Sequence, residues 1–332
     1  VSLPYPVRIA GVGRYLPRRV VDNATVERRV GLPLGTIDRT HAGVVTRRWA
    51  ERDETNSFMA AEAAREALDD AGVEAADLDL IVNASGSQEQ AVPDGGPLVQ
   101  RQLGLGESGI PTFTLHSTCL SFLNALDVVG ALVQAGRYRK VLVVTSEIPS
   151  SSLNPEDIES ACLFGDAATA VVLTPTPAGE ASAVVRARFE TYGDGADYTR
   201  VLGGGTRRHP NDPDTRPEDN LFEMDGRRIM AFATRLIPGF LERLDPPLLV
   251  GEGVEWVVPH QPSQLALQVL GRYGFEDARI GVTIDHLGNC GAASAPATLY
   301  EMVRDGRIQR GDRLLLIATG AGLGLGGVVV VY

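Results

Sequence analysis

Cysteine is scarce in this chain: Cys119, Cys162 and Cys290 are the three in 332 residues. So few, and odd in number, they make no disulfide framework, and a reducing compartment, the cytoplasm, is the expected location. No stretch approaches the ~20 apolar residues of a membrane span. The opening VSLPYPVRIAGVGRYLP has neither the basic head nor the apolar run of a secretory signal. Basic residues are in the minority, 31 Lys and Arg against 42 Asp and Glu, a formal charge of −11. That balance argues against nucleic acid or an anionic membrane as a partner. Metal-ligand spacing, a phosphate loop and a dinucleotide fingerprint are also lacking. The run GAGLGLGG at 320–327 imitates the last of these, but it leads into a strand rather than a helix.

A hydrophobic content of 44% is enough for a sizeable core. Strand-like runs recur as VRIAGVG, LDLIVNAS, PTFTLH, KVLVVTSE, AATAVVLT, VEWVVPH, RLLLIAT and GGVVVVY. Several are β-branched and aliphatic throughout, the pattern of strands covered on both faces. Helical periods separate them, in NSFMAAEAAREALDDAG, CLSFLNALDVVGALVQAG, RRIMAFATRLIPGFLERL, SQLALQVLGRYG and AASAPATLYEMVRDG, and most close on glycine. Alternation of this kind predicts α/β layers with a mainly parallel sheet. The order of elements divides the chain into two similar halves, 1–175 and 176–332. Between them, TYGDGADYTRVLGGGTRRHPNDPDTRPEDN is either a solvated linker or a binding loop.

Three residues stand at the ends of apolar elements, where a layered α/β fold exposes side chains to a cleft. Cys119 follows PTFTLH and opens a helix whose positive end favours thiolate. His260 ends VEWVVPH, and Asn289 lies in the turn DHLGNCGAAS. Singly, each has an ordinary explanation: free cysteine is often core, a lone histidine is usually structural, and asparagine beside glycine makes turns. Cys162 reads as core, Cys290 as a small turn residue and His116 as a buried structural residue.

Taken in order, GVGRYLP, STCLSFLNALD, LFGDAATAVVL, VVPHQ, GNCGAASAPATL and RDGRIQRGDRLLLIATGAG resemble β-ketoacyl-acyl-carrier-protein synthase III of the thiolase superfamily, over nearly the whole chain. The resemblance implies a thiolase-like five-layer αβαβα fold of two pseudo-repeated halves, usually a homodimer. It puts the nucleophile on Cys119, with His260 and Asn289 completing the triad, and the oxyanion-hole N–H groups on Cys119 and Ala321. The implied chemistry begins with transfer of an acyl group from a thioester to Cys119. Decarboxylation of a malonyl-type thioester follows, and the carbanion condenses with the acyl-enzyme. Acyl transfer to an alcohol or amine is the alternative, and a non-catalytic partner subunit is a more distant one. No permanently bound cofactor is implied; the substrates are thioesters of acyl carrier protein or coenzyme A.

Departures from the family pattern cluster at the carrier site. Ile37 falls at the adenine-stacking position, and His41 and Ile158 fall at coenzyme-contacting arginines. Leu265 replaces a docking arginine, Pro262 and Ser263 follow the histidine, and Val92 stands where a partner's phenylalanine enters the acyl pocket. Polyketide or related specialised acyl metabolism is therefore expected rather than housekeeping initiation. Arg228 and Arg227, at the start of a helix, are the candidate contacts for an acidic carrier protein.

Overall fold

In a computed structural model, which describes residues 4–332, the aliphatic runs become strands covered on both faces. The elements begin with β1 (Val7–Tyr15), β2 (Arg19–Asp22), α1 (Asn23–Val30), β3 (Thr46–Trp49), α2 (Asn56–Ala71), β4 (Leu80–Asn83), α3 (Gly95–Gln102) and β5 (Thr112–Thr114). They continue with α4 (Ser121–Gln134), β6 (Val141–Glu147), α5 (Ile158–Leu163), β7 (Ala167–Pro175), β8 (Ala183–Thr191), β9 (Thr199–Arg200) and β10 (Glu223–Met224). Last come α6 (Gly226–Leu244), β11 (Trp256–Pro259), α7 (Gln264–Gly271), α8 (Ile284–Leu287), α9 (Ser294–Arg304), β12 (Arg313–Gly320) and β13 (Gly324–Val331).

One sheet has the order β1–β7–β6–β4–β5 and the other β11–β12–β13–β8. Both are mixed, which corrects the expectation of a mainly parallel sheet. Strands β6, β4 and β5 run parallel, as do β11 and β12. The pairs β1/β7, β6/β7, β12/β13 and β13/β8 are antiparallel. The cause is the connections: β12 turns straight into β13, and a tight turn makes antiparallel partners. Read from β8, the second sheet runs β8–β13–β12–β11, and Ile280 bridges Val257 in parallel beyond it. Order and directions repeat those of β1–β7–β6–β4–β5, so the two halves are topological copies with different residues.

Strand alternation sorts the side chains of the two large sheets into cores between the layers. Val141 and Val143 of β6 share the central core with Leu123, Leu126 and Val129 of α4, Leu299 of α9, and Leu314 and Leu316 of β12. Leu142 and Val144, one residue out of phase, pack with Met59, Ala63 and Ala67 of α2. On the far side, Leu315 and Val329 meet Phe240 and Leu244 of α6. The layers are thus α2 with α3, the first sheet, α4 with α9, the second sheet, and α6 with α7. Because α4 is sandwiched, Phe122, Leu123, Leu126, Val129 and Val133 are all buried, each full burial worth about 1.5–3 kcal/mol, while Val128 stays exposed. The Gly- and Pro-rich segment does not lie between the halves. It follows β8, within the second, where Tyr192 and Tyr198 pack edge-on against Phe232 of α6.

Candidate active site

Cys119 does not open α4 directly. It lies in a single 3₁₀ turn, Thr118–Leu120, between β5 and the helix. Thr118 has φ +50°, a conformation that a β-branched residue keeps only when its surroundings impose it. Ser121 supplies part of that constraint: its Oγ accepts from Ser117 N–H at 2.9 Å and donates to Thr118 O at 2.7 Å. The rest comes from the β12–β13 hairpin. A Cβ at Gly324 or Gly326 would lie 2.6 or 2.7 Å from a Leu120 methyl carbon, and one at Gly320 would lie 2.8 Å from Thr118 Oγ1. The glycine run that imitates a nucleotide loop therefore lets this hairpin close onto the nucleophile turn. Ala321 follows Gly320 at its bend.

His260 directly follows β11, and its N–H donates to Ile317 O at 2.8 Å, which extends the parallel pairing with β12. The neighbouring Gln261 locks this end of the strand. Its Nε2 donates to Pro259 O at 3.2 Å and Gly281 O at 3.0 Å, while its Oε1 accepts from Thr283 N–H and Ile284 N–H. Asn289 is fixed by its backbone, with N–H donating to Leu163 O at 2.8 Å and C=O accepting from Gly165 N–H. Its Oδ1 accepts from Gly291 N–H at 3.0 Å, and its amide N–H groups are uncommitted among the described residues. Gly291 is the meeting point: it touches Asn289 in this way, its backbone reaches His260, and it flanks the Glu147 side chain. Glu147 in turn acts electrostatically on Cys119. The structure thus brings Cys119, His260 and Asn289, drawn from both halves, to one place.

A cavity of about 980 Å³ leads to His260 between α5, α6 and α7. Ile229, Met230, Ile237 and Val269 give it an apolar wall, Ala318 and Thr319 flank its histidine end, and exposed His41, Arg227 and Leu265 stand at its rim. Arg228 lies outside this lining. Its guanidinium pairs with Asp225 at 3.3 Å and lies over the Tyr198 ring. Asp225 also caps α6 by accepting from Arg228 N–H, so an acidic cap offsets arginines that oppose the helix dipole. Ile158 lines the cavity, whereas Ile37 is buried in a core with Trp49 and Val44. Val92 is 83% exposed.

The electrostatics overturn one expectation. Burial, with the Glu147 carboxylate second, pushes the Cys119 thiol up to about 12, so the resting protein holds a thiol rather than a thiolate. Desolvation of this half-buried side chain outweighs the helix terminus, which begins two residues later. Burial also drives the His260 imidazole down to about 4, with a backbone contact at Gly291 opposing it weakly. Its Nδ1 is buried and has no partner among the described residues. At neutral pH the pair is thiol and neutral imidazole. Cys162 and Cys290 are buried, their Sγ atoms donating at 3.4 Å to Glu159 O and Leu287 O. His116, expected to be buried, is exposed, with Nε2 3.2 Å from Gly86 O.

Two residues of this region escape sequence reasoning: Glu147 and Gln261. Glu147 had a visible signal, an ionisable residue closing the otherwise apolar KVLVVTSE. Gln261 had only its position after His260.

Models of 3-oxoacyl-[acyl-carrier-protein] synthase III match residues 113–193, and those of its C-terminal part match residues 249–332. The β-ketoacyl-[acyl-carrier-protein] synthase III of Rhodospirillum rubrum is 38% identical over 327 residues, which cover 97% of this chain and 98% of that protein. The acetoacetyl CoA synthase NphT7 of a Streptomyces species is 35% identical over 326 residues, 95% of each chain. Among solved structures, the 3-oxoacyl-[acyl-carrier-protein] synthase III of Aquifex aeolicus superposes with a TM-score of 0.85 at 30% identity, covering 97% of this chain and 99% of that one. With the five-layer fold and a cysteine, a histidine and an asparagine gathered at the seam of its halves, the chain belongs to the β-ketoacyl-acyl-carrier-protein synthase III family of acyl-transferring condensing enzymes.

Proposed function

We propose that this enzyme carries an acyl group on Cys119 and condenses it with a malonyl-type thioester in polyketide or related specialised acyl metabolism. In this proposal residues 1–175 contribute the nucleophile, and residues 176–332 contribute His260 and Asn289. The observation that carries the reading is a neutral buried imidazole at the end of an apolar cavity, joined through Gly291 to Asn289, whose amide N–H groups are uncommitted among the described residues. A neutral imidazole has a lone pair to take the thiol proton as sulfur attacks the thioester. It also has an N–H to donate to the enolate that decarboxylation leaves, and Asn289 Nδ2 supplies a second donor. Neither donor brings a negative charge that would repel the enolate. For the tetrahedral oxyanion, the backbone N–H groups of Cys119 and Ala321 are the donors, such groups being worth about 3 kcal/mol each. The sequence order is then thiol attack, departure of the carrier thiol, loss of carbon dioxide, and attack of the carbanion on the acyl-enzyme.

The carrier of this reading is an acyl carrier protein. Ile37 is enclosed in the core and has no face to offer a nucleotide base, and Ile158 brings no charge to a phosphate. Arg227 at the cavity rim, with Arg228 beside it, gives an acidic carrier a basic contact. Homodimer formation and a cytoplasmic location complete the proposal.

Intact-mass measurement on purified protein tests it. An acyl thioester is expected to add one acyl mass to wild type, Cys162→Ala and Cys290→Ala, but not to Cys119→Ala. Malonyl thioester should then release carbon dioxide and yield a β-keto thioester. Equal loading of Cys119→Ala would overturn the assignment, and product formation on an amine or alcohol without carbon dioxide release would establish acyl transfer instead.

A further inference from the structure

Of the buried ionisable groups that the chemistry proposed above leaves unused, Glu147 is one that acts on Cys119. Glu147 ends β6 with its carboxyl turned toward the middle layer, and it is 3% exposed. Oε1 accepts from Gly86 N–H, while Oε2 accepts from Ser87 N–H at 2.8 Å and from Ser87 Oγ at 2.6 Å. A Cβ at Gly291 would lie 3.5 Å from Glu147 Cγ, Cδ and Oε2. One at Gly86 would lie 3.3 Å from Glu147 Oε1 and 3.5 Å from Thr118 Cα. The carboxyl therefore sits where three backbones converge: the 86–87 loop, the turn carrying Cys119 and the turn carrying Asn289.

Three neutral donors hold it, and among the described residues no cation pairs with it. The titratable groups facing it are Cys119 from the nucleophile turn, Cys290 from the turn before α9, Asp166 from the loop before β7, and His260 across Gly291. All of these are neutral or acidic. Thr145, two residues earlier on the same strand face, and its cross-strand partner Thr169 add hydroxyls that are unpartnered among the described residues, but no charge.

We infer that Glu147 is a positioning residue that sets the pH window of Cys119. As a neutral acid it ties the three turns together and leaves the thiol free to lose its proton, whereas as a carboxylate it opposes the negative charge that develops on sulfur. Burial raises this carboxyl to about 7, so the change of state falls near neutral pH. Raising the pH then has two opposed effects, easing loss of the thiol proton while charging the group behind it. The inference rests on the assignment of Cys119 as nucleophile.

The test compares wild type, Glu147→Gln and Ser87→Ala from pH 5.5 to 9. Two rates are followed: acyl loading by intact mass, and iodoacetamide alkylation of Cys119 located by peptide mass. Wild type is expected to show a flattened stretch near pH 7. Glu147→Gln should rise about tenfold per pH unit throughout, equal to wild type at pH 5.5 and about tenfold faster at pH 8, the effect of one pKa unit. Ser87→Ala removes a hydroxyl donor to the carboxylate and should move the flattened stretch to higher pH, which tests the inference even if Glu147→Gln fails to fold. A purely structural role predicts slower rates at every pH with an unchanged profile. Parallel profiles for wild type and both variants would therefore overturn the inference. If acyl loading is absent in wild type, the proposed function fails, while the alkylation profile still reads the influence of Glu147.

Discussion

Iodoacetamide offered to the native enzyme at pH 7.5 should find Cys119 a poor target, although it is the proposed nucleophile. The perturbation is the reagent alone, small enough to enter the cleft and indifferent to carrier recognition. The thiol is raised from an ordinary 9.0 to about 12, a change of three units that lowers the thiolate fraction about a thousandfold at this pH. A more basic thiolate is a better nucleophile, and with a Brønsted coefficient near 0.4–0.5 three units return a factor of roughly 15–30. The net expectation is alkylation about 30–60 times slower than for a free thiol of ordinary pKa. His260, driven down to about 4, is uncharged at pH 7.5 and supplies no imidazolium to reverse this. The assay is a time course of Cys119 carbamidomethylation by peptide mass, with an exposed cysteine peptide as internal standard. The rate should still be climbing at pH 10. Alkylation faster than the peptide, or a plateau below pH 8 with no further rise up to pH 10, would refute the reasoning by revealing a thiolate–imidazolium pair at rest.

Asn289→Asp should keep acyl loading on Cys119 to within a few-fold and lose most carbon dioxide release from malonyl thioester, because a carboxylate beside the enolate repels it. Unchanged release would remove Asn289 from the decarboxylation step. With one acyl group on two carriers, acyl carrier protein should load Cys119 at much lower concentration than coenzyme A. The missing stack and two charge-assisted contacts would cost coenzyme A about 2–4 kcal/mol, or roughly thirty- to a thousandfold in affinity. Saturation at lower concentration by the coenzyme A thioester would show that the nucleotide is held by residues other than those at positions 37, 41 and 158.

The legible part of the fold was the part buried on two sides. Strands such as β6 and β13 carry aliphatic residues on both faces because each sheet is covered on both, and that leaves a continuous apolar run in the sequence. β8 escaped because it is an edge strand whose Arg186, Arg188 and Glu190 interrupt any such run, with Glu190 bonded to Arg188, Tyr192 and Arg243. α3 begins Gly-Gly-Pro, which conceals a helix from propensity. The meeting of Cys119, His260 and Asn289 was legible through family resemblance, not through spacing, since it depends on long-range strand pairing. Their protonation states were not legible. A helix N-terminus can be read from residue order, but the packing that outweighs it and the carboxyl behind the thiol come from other parts of the chain.

The seating of Leu120 against Gly324 and Gly326 has a consequence for biosynthesis. These glycines are translated about two hundred residues after Cys119, an interval of roughly 10–40 s at ordinary ribosomal rates. During that interval the turn has no backing, and Cys119 is a thiol of unremarkable acidity, as open to oxidation or stray acylation as any other on a nascent chain. When the hairpin closes, the same packing that assembles the site also quiets the sulfur. Folding thus confers selectivity in time: the cysteine passes from general reactivity to a reactivity that waits for a substrate held in the cleft.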